Sequence, residues 1–378
     1  MQHVTQIIGD GKAGGGTTVV LNLSRRLAER GFGVTVAGQP NSYLLDEARS
    51  AGLETLELDF SRRSGSLAVA RRLSAHLEQR PGTILHAHGA RAGLPAAMLS
   101  RNARRALAYT VHGFHYQHKR VGIRQAARWA EWFCAARADA RVYVSTNERA
   151  LALRDGIIGE NDPHEVIHNG TAAGRSVVPA AGAARFDIAF LGRLHPQKNP
   201  MILPEILRAM QPLRPRLAVI GGGECEAALR ASVASAGLDA QVTFLGAQSH
   251  DQALAALAQS RVMLLPSRWE GLPVSVIEAM QLGIPVVASR VPGTDELVVE
   301  GMTGHLVGVD DVEGYAQRLG ALLGDETACQ RLGAAAMRRA ADGFTLDRQV
   351  DRHAALYRRL AIQAPKAAMD LAAVLARA

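Results

Sequence analysis

Two glutamates, one in a loop and one in the helix that follows it, suit the recognition of hydroxyl groups. Glu270 follows an apolar run in the segment SRWEGLPVSVIEAM, and a helix predicted to begin near Val274 carries Glu278 about one turn from its start. Seven residues lie between the two carboxylates, so both can face one ligand. Carboxylates accept hydrogen bonds from vicinal hydroxyls, and the helix N-terminus offers amide groups to phosphate. The alternative is that both are ordinary surface glutamates. The specific composition of the loop makes that alternative weaker.

Two cations lie five residues apart in the segment FLGRLHPQKNP, directly after another predicted strand. Arg193 follows Gly192 at the end of the strand, and Lys198 comes later in the same loop. Ligands of open parallel sheets bind beyond the carboxyl ends of the strands. An arginine offers a planar fork to phosphate oxygens and a lysine a mobile point charge. The pair could therefore neutralise a diphosphate leaving group, and two solvated loop cations are the alternative.

Three consecutive glycines, Gly14, Gly15 and Gly16, end a strand–turn and open a helix. Without a Cβ, their amide groups can approach a phosphate or a sugar closely, and the helix N-terminus favours negative charge. The turn matches neither GxGxxG nor a Walker loop. A tight turn needed only for packing is an equally good interpretation of this motif alone.

A histidine, His112, follows an apolar strand in the segment YTVHGFHY, where it could contact a bound sugar or phosphate. His115 and His118 extend this to an HxxHxxH pattern, but no matching carboxylates accompany it, so no metal site is predicted. His86 and His88, in the segment LHAHGARAG, suit either packing or ligand contact.

The elements that must position these residues alternate between strand and helix. A glycine-rich turn at Gly9–Gly16 leads into a helix predicted over Thr17–Arg30, and further helical patterns cover Leu67–Gln79 and Arg124–Arg137. Continuous apolar runs between such helices are typical of parallel strands covered on both faces. The predicted strands are Val4–Ile8, Val34–Ala37, Thr83–Leu85, Leu107–Val111, Val142–Ser145, Asp187–Leu191, Leu217–Ile220, Val242–Leu245, Val262–Leu265 and Pro285–Ala288.

The strand–helix alternation lapses once, and the lapse divides the chain. With 378 residues the chain is too long for one ordinary core and fits two domains. The segment 171–185 is small, contains Pro and Gly and lacks periodicity, which predicts a linker. We expect an N-terminal Rossmann-like domain over 1–170 and a C-terminal one over 186–345. The Ala- and Arg-rich tail 346–378 is predicted to be helical and to pack back on the first domain.

Composition and charge narrow the function classes. The three cysteines, Cys134, Cys225 and Cys329, form no ligand pattern, which argues against a disulfide framework or a zinc site and fits a reducing cytoplasm. The chain opens without the pattern of a signal peptide, and no run of about eighteen apolar residues predicts a membrane span. The formal net charge of +8 suits an anionic partner, either a phosphate-bearing ligand, an anionic membrane surface or nucleic acid.

Taken in order, the motifs resemble the retaining glycosyltransferases of family 4 over nearly the whole chain. The EGLPVSVIE stretch and the Arg/Lys loop are specific in combination, whereas the glycine loop is not. The residues that carry the resemblance are Gly14–Gly16, HAHG at 86–89, VHGF at 111–114, VIHNG at 166–170, FLGRLHPQKN at 190–199, EGLPVSVIE at 270–278 and GIPVVAS at 283–289.

The resemblance implies an α/β architecture of the GT-B type, in which two Rossmann-like domains face each other across a cleft. Such enzymes bind the nucleotide in the C-terminal domain and the acceptor mainly in the N-terminal one. They need no metal or other cofactor, and the nucleotide sugar is a substrate. No DxD motif occurs in this sequence, which agrees with that expectation.

The resemblance also implies a role for each matched residue. The glycine loop should approach the donor, and His112 should contact the transferred sugar near the reacting carbon. Gly192, Arg193 and Lys198 should bind the diphosphate. Glu270 should hold sugar hydroxyls with help from the amides of Gly271 and Leu272, and Glu278 should bind the ribose diol.

The function expected from this resemblance is retaining transfer of a hexose from a nucleotide diphosphate, with UDP favoured over GDP. The acceptor is expected to be a glycan or a lipid-linked molecule in cell-envelope or exopolysaccharide synthesis. Thr17 and Thr18 stand where many relatives have Ala-Glu, and the motif VIHNGT does not end in an acidic residue. Both departures put the identity of the acceptor in doubt more than the chemistry.

Three other hypotheses stay open on the sequence. A nucleotide-sugar epimerase, or less readily a phosphorylase, would share the paired-domain fold. A basic nucleic-acid binder would use helices such as 101–105 and 124–137, although no stacking motif supports it, and no nucleic-acid partner is expected. The cations and aromatics that include Arg124, Trp129 and Trp132 suggest contact with an anionic membrane at the inner face of the cytoplasmic membrane, with burial of both tryptophans as the alternative.

Overall fold

The chain forms two separate α/β units. The computed structural model describes residues 2–61, 65–99, 106–118, 120–172, 184–211 and 213–362, without the side chains of His115 and His118. One unit contains the residues up to Asn169 together with those from Leu346 onwards, and the other is Gly170–Thr345. Most of the predicted linker, the basic segment 101–105 and the tail beyond 362 lie outside the described residues.

The first unit has a parallel sheet of seven strands in the described residues, ordered β3-β2-β1-β4-β5-β6-β7. The central strands are buried along their whole length, as expected for strands covered by helices on both faces. The strands are β1 (His3–Ile8), β2 (Gly33–Gly38), β3 (Glu54–Glu57), β4 (Ile84–His88), β5 (Ala106–Val111), β6 (Ala140–Tyr143) and β7 (His164–Val166).

Neighbouring residues of one strand pack into two different apolar cores, because side chains alternate between the two faces of a sheet. Ile84 packs into one apolar cluster and Leu85 into the other. The helices of this unit are α1 (Gly15–Glu29), α2 (Tyr43–Ser50), α3 (Gly65–Gln79), α4 (Ala90–Met98), α5 (Val121–Arg137) and α6 (Thr146–Arg154), with α14 (Leu346–Ile362) from the far end of the chain.

The helix α14 completes the first unit by packing against α1 and β4. Its apolar residues recur three or four positions apart and form one stripe, which joins the cluster on that face of the sheet. The stripe consists of Leu346, Val350, Ala354, Tyr357 and Leu360. The residues up to Ile362 therefore lie where the sequence placed them, on the first domain.

The second unit has a parallel sheet of six strands in the order β10-β9-β8-β11-β12-β13. The strands are β8 (Phe186–Leu191), β9 (Leu217–Ile220), β10 (Val242–Gly246), β11 (Ser260–Leu265), β12 (Val286–Ser289) and β13 (Gly304–Val307). The helices are α7 (Leu203–Ala209), α8 (Glu226–Ser235), α9 (His250–Leu257), α10 (Val274–Gln281), α11 (Thr294–Leu297), α12 (Val312–Gly324) and α13 (Glu326–Gly343).

Each sheet reverses its strand order once. The reversal lies between β1 and β4 in the first unit and between β8 and β11 in the second. At such a switch point the loops leave neighbouring strands in opposite directions and open a crevice beyond the carboxyl ends. The glycine turn follows β1, the Arg/Lys loop follows β8 and the Glu270 loop follows β11, so these motifs flank the two crevices.

Candidate functional site

An ion pair lies at the switch point of the second sheet. Lys198 Nζ donates to Glu270 Oε1 at 2.5 Å, although 72 positions separate the two residues. The side chain of Lys198 is 15% exposed and that of Glu270 only 5%. The bond uses one of the three donors of the ammonium group. A cation is thus held in place at the edge where a ligand of this sheet would bind.

Short polar contacts fasten together the two loops that carry this ion pair. Lys198 closes the 3₁₀ turn Pro196–Lys198, and Asn199 follows in the left-handed region at φ 50°. The main chain of Arg268 donates to the carbonyl of Gln197 at 2.8 Å, and its guanidinium reaches Asn199 Oδ1 at 3.2 Å. Gln197 in turn donates to the carbonyl of Trp269 at 3.0 Å. The position of Lys198 is therefore fixed relative to Glu270.

The turn after Glu270 is buried and closely backed. Gly271 and Leu272 are both buried, and α10 begins at Val274, as the sequence predicted. A Cβ on Gly293 would lie 2.1 Å from the carbonyl oxygen of Gly271, and Gly293 has a φ of 86°. Only glycine fits both conditions without strain, so this position lets the main chain after β12 support the Glu270 turn.

The second predicted glutamate is a buried carboxyl group on α10. Glu278 is 7% exposed, and burial raises its pKa to about 8. Its Oε1 lies 3.7 Å from Nδ1 of His250, the first residue of α9. That separation is too long for a hydrogen bond, so the carboxyl group has acceptor capacity for a ligand. The sequence did not single out His250.

The predicted phosphate loop leaves β8 at the same edge of the sheet. Arg193 is exposed and stands two residues beyond the end of the strand. Gly192 donates to the carbonyl of Ile220 at 3.0 Å, which continues the pairing with β9. A Cβ on Gly221 would lie 2.1 Å from the carbonyl oxygen of Gly192, so a glycine is needed where β9 ends. Arg193, Lys198 and Glu270 therefore share one end of one sheet.

In the first unit the glycine turn opens α1. Gly14 is the N-cap residue, and the helix begins at Gly15, two residues before the predicted start. The hydroxyl of Thr17 donates to the carbonyl of Lys12 at 2.7 Å, so the turn is closed by a side chain. The amide of Leu44 also donates to the carbonyl of Gly11 at 3.1 Å. The role of the turn toward a donor remains a prediction.

His112 lies just beyond the end of β5 and is half-buried. Its Nε2 lies 2.8 Å from Nδ1 of His88, whose Nε2 lies 2.8 Å from Oε1 of Gln6. Burial lowers the pKa of both His86 and His88 well below the ordinary value. His86 and His88, which the sequence left between packing and ligand contact, are therefore buried neutral groups, and His88 contacts His112 directly.

Two residues of this histidine cluster escaped the sequence analysis. Gln6 is fully buried in β1, and Tyr357 is fully buried in α14. Gln6 Nε2 donates to Tyr357 Oη at 2.9 Å, and Tyr357 Oη lies 2.6 Å from Nδ1 of His86. A glutamine inside a central strand was the signal, because a buried amide needs partners.

The described residues contain no candidate metal site and no helix that could span a membrane, and they leave one of the two tryptophans of α5 exposed. Among the described residues, no group of three His, Cys, Asp or Glu side chains could hold a metal ion. Cys134, Cys225 and Cys329 are free thiols. Within the described ranges, every helix is too short or too polar to cross a membrane. Trp132 packs against the core, whereas Trp129 is 43% exposed.

The two halves of the chain match two families of sugar-transferring enzymes. Residues 14–170 match the glycosyl transferase 4-like domain, and residues 180–339 match the glycosyl transferases group 1. Together the matches cover more than four fifths of the chain. The chain belongs to the glycosyltransferases of the family 4 type, so the epimerase, phosphorylase and nucleic-acid hypotheses give way to a transferase.

Particular relatives and structures agree with this class. The chain is 25% identical over 344 residues to an Escherichia coli enzyme, UDP-Gal:alpha-D-GlcNAc-diphosphoundecaprenol alpha-1,3-galactosyltransferase, covering 85% of this chain and 86% of that one. It is 28% identical to the lipopolysaccharide core biosynthesis mannosyltransferase LpsB of Rhizobium meliloti, covering 75% and 81%. The structure of Anabaena HepE with UDP and glucose superposes with a TM-score of 0.81 at 20% identity, covering 94% and 99%. The fold is GT-B, as expected.

Proposed function

We propose that this glycosyltransferase moves a hexose from a UDP-sugar to a glycan or lipid-linked acceptor in the synthesis of a cell-envelope or extracellular polysaccharide. The observation that best supports this proposal is the set of Lys198, Glu270 and Glu278 beyond the carboxyl ends of β8 and β11. This set offers a cation for a diphosphate and carboxyl groups for sugar and ribose hydroxyls.

The relatives favour this choice of substrates. The name of the E. coli enzyme contains UDP-galactose and a diphosphoundecaprenol acceptor, and the HepE structure contains UDP and glucose. A GDP-linked sugar, which the resemblance to family 4 ranked below a UDP-sugar, is the second candidate for the donor. The two enzymes are named as a galactosyltransferase and a mannosyltransferase, so transfer of a hexose is common to both. The base of the donor is the part that an experiment must decide.

The chemical step that suits these groups is cleavage of the bond between the sugar C1 and the β-phosphate oxygen. The transition state carries oxocarbenium character, and negative charge builds up on the leaving diphosphate. Lys198, held by Glu270, is preorganised to stabilise that charge, and the exposed Arg193 at the same end of the sheet supplies a second cation. We propose that the acceptor hydroxyl attacks C1 from the same face and passes its proton to the leaving phosphate, which retains the configuration. No metal ion or cofactor is part of this proposal.

Helix α5 is the proposed contact with a membrane that carries a lipid-linked acceptor, at the inner face of the cytoplasmic membrane. Val121 is 65% and Ile123 57% exposed, and exposed arginines, including Arg120 and Arg124, share the helix and its start. Apolar and cationic side chains together suit the surface of an anionic bilayer. Sedimentation with anionic liposomes that is lost in Val121→Ser/Ile123→Ser would support this contact, and equal sedimentation of both proteins would contradict it.

The donor can be identified by thermal denaturation with UDP, GDP and ADP. A ligand present at about 100-fold over its Kd adds roughly 2.7 kcal/mol to the free energy of unfolding. We expect the largest shift with UDP in the wild type and a much smaller shift in Arg193→Ala and Lys198→Ala. Each variant is compared with its own ligand-free state, because Lys198→Ala also leaves Glu270 without its cation.

Arg331→Ala is the matched control, because Arg331 is an exposed cation on α13, away from the strand ends. It should keep the full shift with UDP. A largest shift with GDP would replace the donor and leave the site in place. No shift with any of the three nucleotides would contradict the proposed site itself.

A further inference from the structure

A series of hydrogen bonds links α14 to His112 through the interior of the first unit. Gln6 Nε2 lies 2.9 Å from Tyr357 Oη, and Gln6 Oε1 lies 2.8 Å from Nε2 of His88. His88 Nδ1 then lies 2.8 Å from Nε2 of His112. Gln6, His88 and Tyr357 are all buried. Three groups that solvent hardly reaches thus lead to the histidine proposed to contact the sugar.

The bonds of this series have a direction, because His88 is neutral. Burial lowers its pKa well below the ordinary value, and the nearby His86, His112 and His353 act in the same direction. A neutral imidazole has one N–H donor and one acceptor nitrogen. Since Gln6 offers an oxygen, Nε2 of His88 carries the proton and Nδ1 accepts. The proton between His88 and His112 therefore belongs to Nε2 of His112.

The orientation of the Gln6 amide fits the second branch of the cluster. Tyr357 Oη accepts from Gln6 and can donate to Nδ1 of His86 at 2.6 Å. His86, whose pKa burial also lowers, then donates from Nε2 to Thr110 Oγ1 at 2.6 Å. Each donor in both branches meets an acceptor. The opposite amide orientation would reverse every proton, including the one on His112.

We propose that Gln6 and His88 are positioning residues that set the tautomer of His112, with the proton on Nε2 and the lone pair on Nδ1. In the orientation that this requires, the amide nitrogen of Gln6 donates to Tyr357 on α14. In this tautomer Nδ1 of His112 can only accept hydrogen bonds, and a sugar hydroxyl is one donor that suits it. The catalytic part of this inference rests on the proposed contact between His112 and the transferred sugar.

The tautomer can be read from the ¹⁵N signals of the histidine ring nitrogens in the ligand-free protein, with His112 assigned through His112→Gln. We expect Nε2 of His112 to be the protonated nitrogen in the wild type. In Gln6→Glu a carboxylate accepts from His88 and raises its pKa, so Nδ1 of His88 becomes a donor and the proton of His112 moves to Nδ1. Tyr357→Phe releases the Gln6 amide and should give a mixture of tautomers, even if Gln6→Glu does not fold.

Tyr315→Phe is the matched control, because Tyr315 is another buried tyrosine whose hydroxyl makes one bond, 2.8 Å to Ser289, in the other unit. It should lower stability and leave the ring signals of His112 unchanged. In Tyr357→Phe we expect kcat to fall at least tenfold with an unchanged Kd for UDP. Protonated Nδ1 in the wild type, or unchanged signals in both Gln6→Glu and Tyr357→Phe, would overturn the inference. Altered tautomers with an unchanged kcat would support the positioning and overturn the proposed contact of His112 with the sugar.

Discussion

The pair of Lys198 and Glu270 ties the stability of the second unit to its proposed chemistry. Because both side chains are largely buried, removal of one partner leaves the other charge in a poorly solvated place. We predict that Lys198→Met and Glu270→Gln each lower the free energy of unfolding of this unit, by about 3 kcal/mol for the lysine change. The double variant should lose less than the sum of the two. Thermal and urea denaturation of the four proteins measure the coupling.

The control for this cycle is the exposed pair of Arg230 and Glu226, one helical turn apart on α8, whose side chains are 50% and 31% exposed. Its disruption by Glu226→Gln, which keeps Arg230 over the ring of Phe244, should cost below about 1 kcal/mol. Additive losses for Lys198 and Glu270 would contradict the coupling and make the pair no more than two neighbouring side chains.

The raised pKa of Glu278 predicts that nucleotide binding releases a proton. Its pKa of about 8 keeps the carboxyl group protonated in the ligand-free protein at pH 7. A ribose diol donates two hydrogen bonds and favours the ionised form, so binding should lower this pKa. We predict that UDP binding at pH 7 expels up to about one proton and tightens as the pH rises toward 8. Calorimetry in buffers of different ionisation enthalpy measures the proton directly.

Two comparisons isolate this effect. The variant Glu278→Gln should bind UDP more weakly without the proton release, and 2′-deoxy-UDP should reduce the release in the wild type. If the Gln variant expels as many protons as the wild type, the proton comes from another group and the proposed ribose contact is wrong.

At the scale of elements, the contact between Gly293 and Gly271 shows how one loop supports another. A Cβ at position 293 would meet the carbonyl of Gly271 at 2.1 Å, and the positive φ adds strain. We predict that Gly293→Ala displaces the turn that carries Glu270 and reduces both stability and UDP affinity. Thermal denaturation with and without UDP measures both effects.

The matched control is Gly237→Ala, because Gly237 also has a positive φ of 66° but open space around its Cα. It should cost only the backbone strain, about 1 kcal/mol, and leave UDP affinity unchanged. Equal losses in the two variants would mean that the backbone angle alone matters and that the Glu270 turn does not depend on Gly293.

The central strands could be predicted from the sequence, but of the four edge strands only β10 was predicted, whereas β3, β7 and β13 were not. Runs such as Leu217–Ile220 are apolar throughout because helices cover both faces of the sheet. Strand β3 (Glu54–Glu57) begins and ends with exposed glutamates, and β7 (His164–Val166) has three half-buried residues. A strand at the edge of a sheet pairs with only one other strand and is less covered, so its residues are less consistently apolar. Strand β6 was placed two residues too late, since Ser145 caps α6 by accepting from the amide of Glu148.

The site residues could be picked out individually, but not their pairing. Position after a strand singled out Lys198 and Glu270, whereas their bond depends on β8 and β11 being neighbours, and strand order is not written in local patterns. For the same reason the sequence did not reveal the bond between Tyr357 and Gln6, which lie 351 positions apart. Buried polar groups find partners through topology, so the sequence indicates that partners must exist without naming them.

At the scale of the whole molecule, the two units are expected to respond to acid in opposite directions. Burial lowers the pKa of His86 and His88 well below the ordinary value and that of His353 to about 4. In the unfolded chain these groups bind protons below about pH 6.5. Each therefore lowers the free energy of unfolding of the first unit by up to about 1.4 kcal/mol per pH unit as the pH falls through that range. Glu148, with a pKa raised to about 8, offsets part of this loss.

The second unit contains the opposite case, since Glu278 keeps its proton up to about pH 8 in the folded state and loses it above about 4.5 when unfolded. Its contribution therefore stabilises that unit as the pH falls from 8 to 5.

The tryptophans separate the two responses: Trp269→Phe leaves reporters only in the first unit, and Trp129→Phe/Trp132→Phe leaves one only in the second. We predict that the urea midpoint of the first reporter falls between pH 7.5 and 5 and that of the second rises. His353→Gln should flatten the first dependence, and parallel curves for the two reporters would contradict the assignment of buried neutral histidines to the first unit alone.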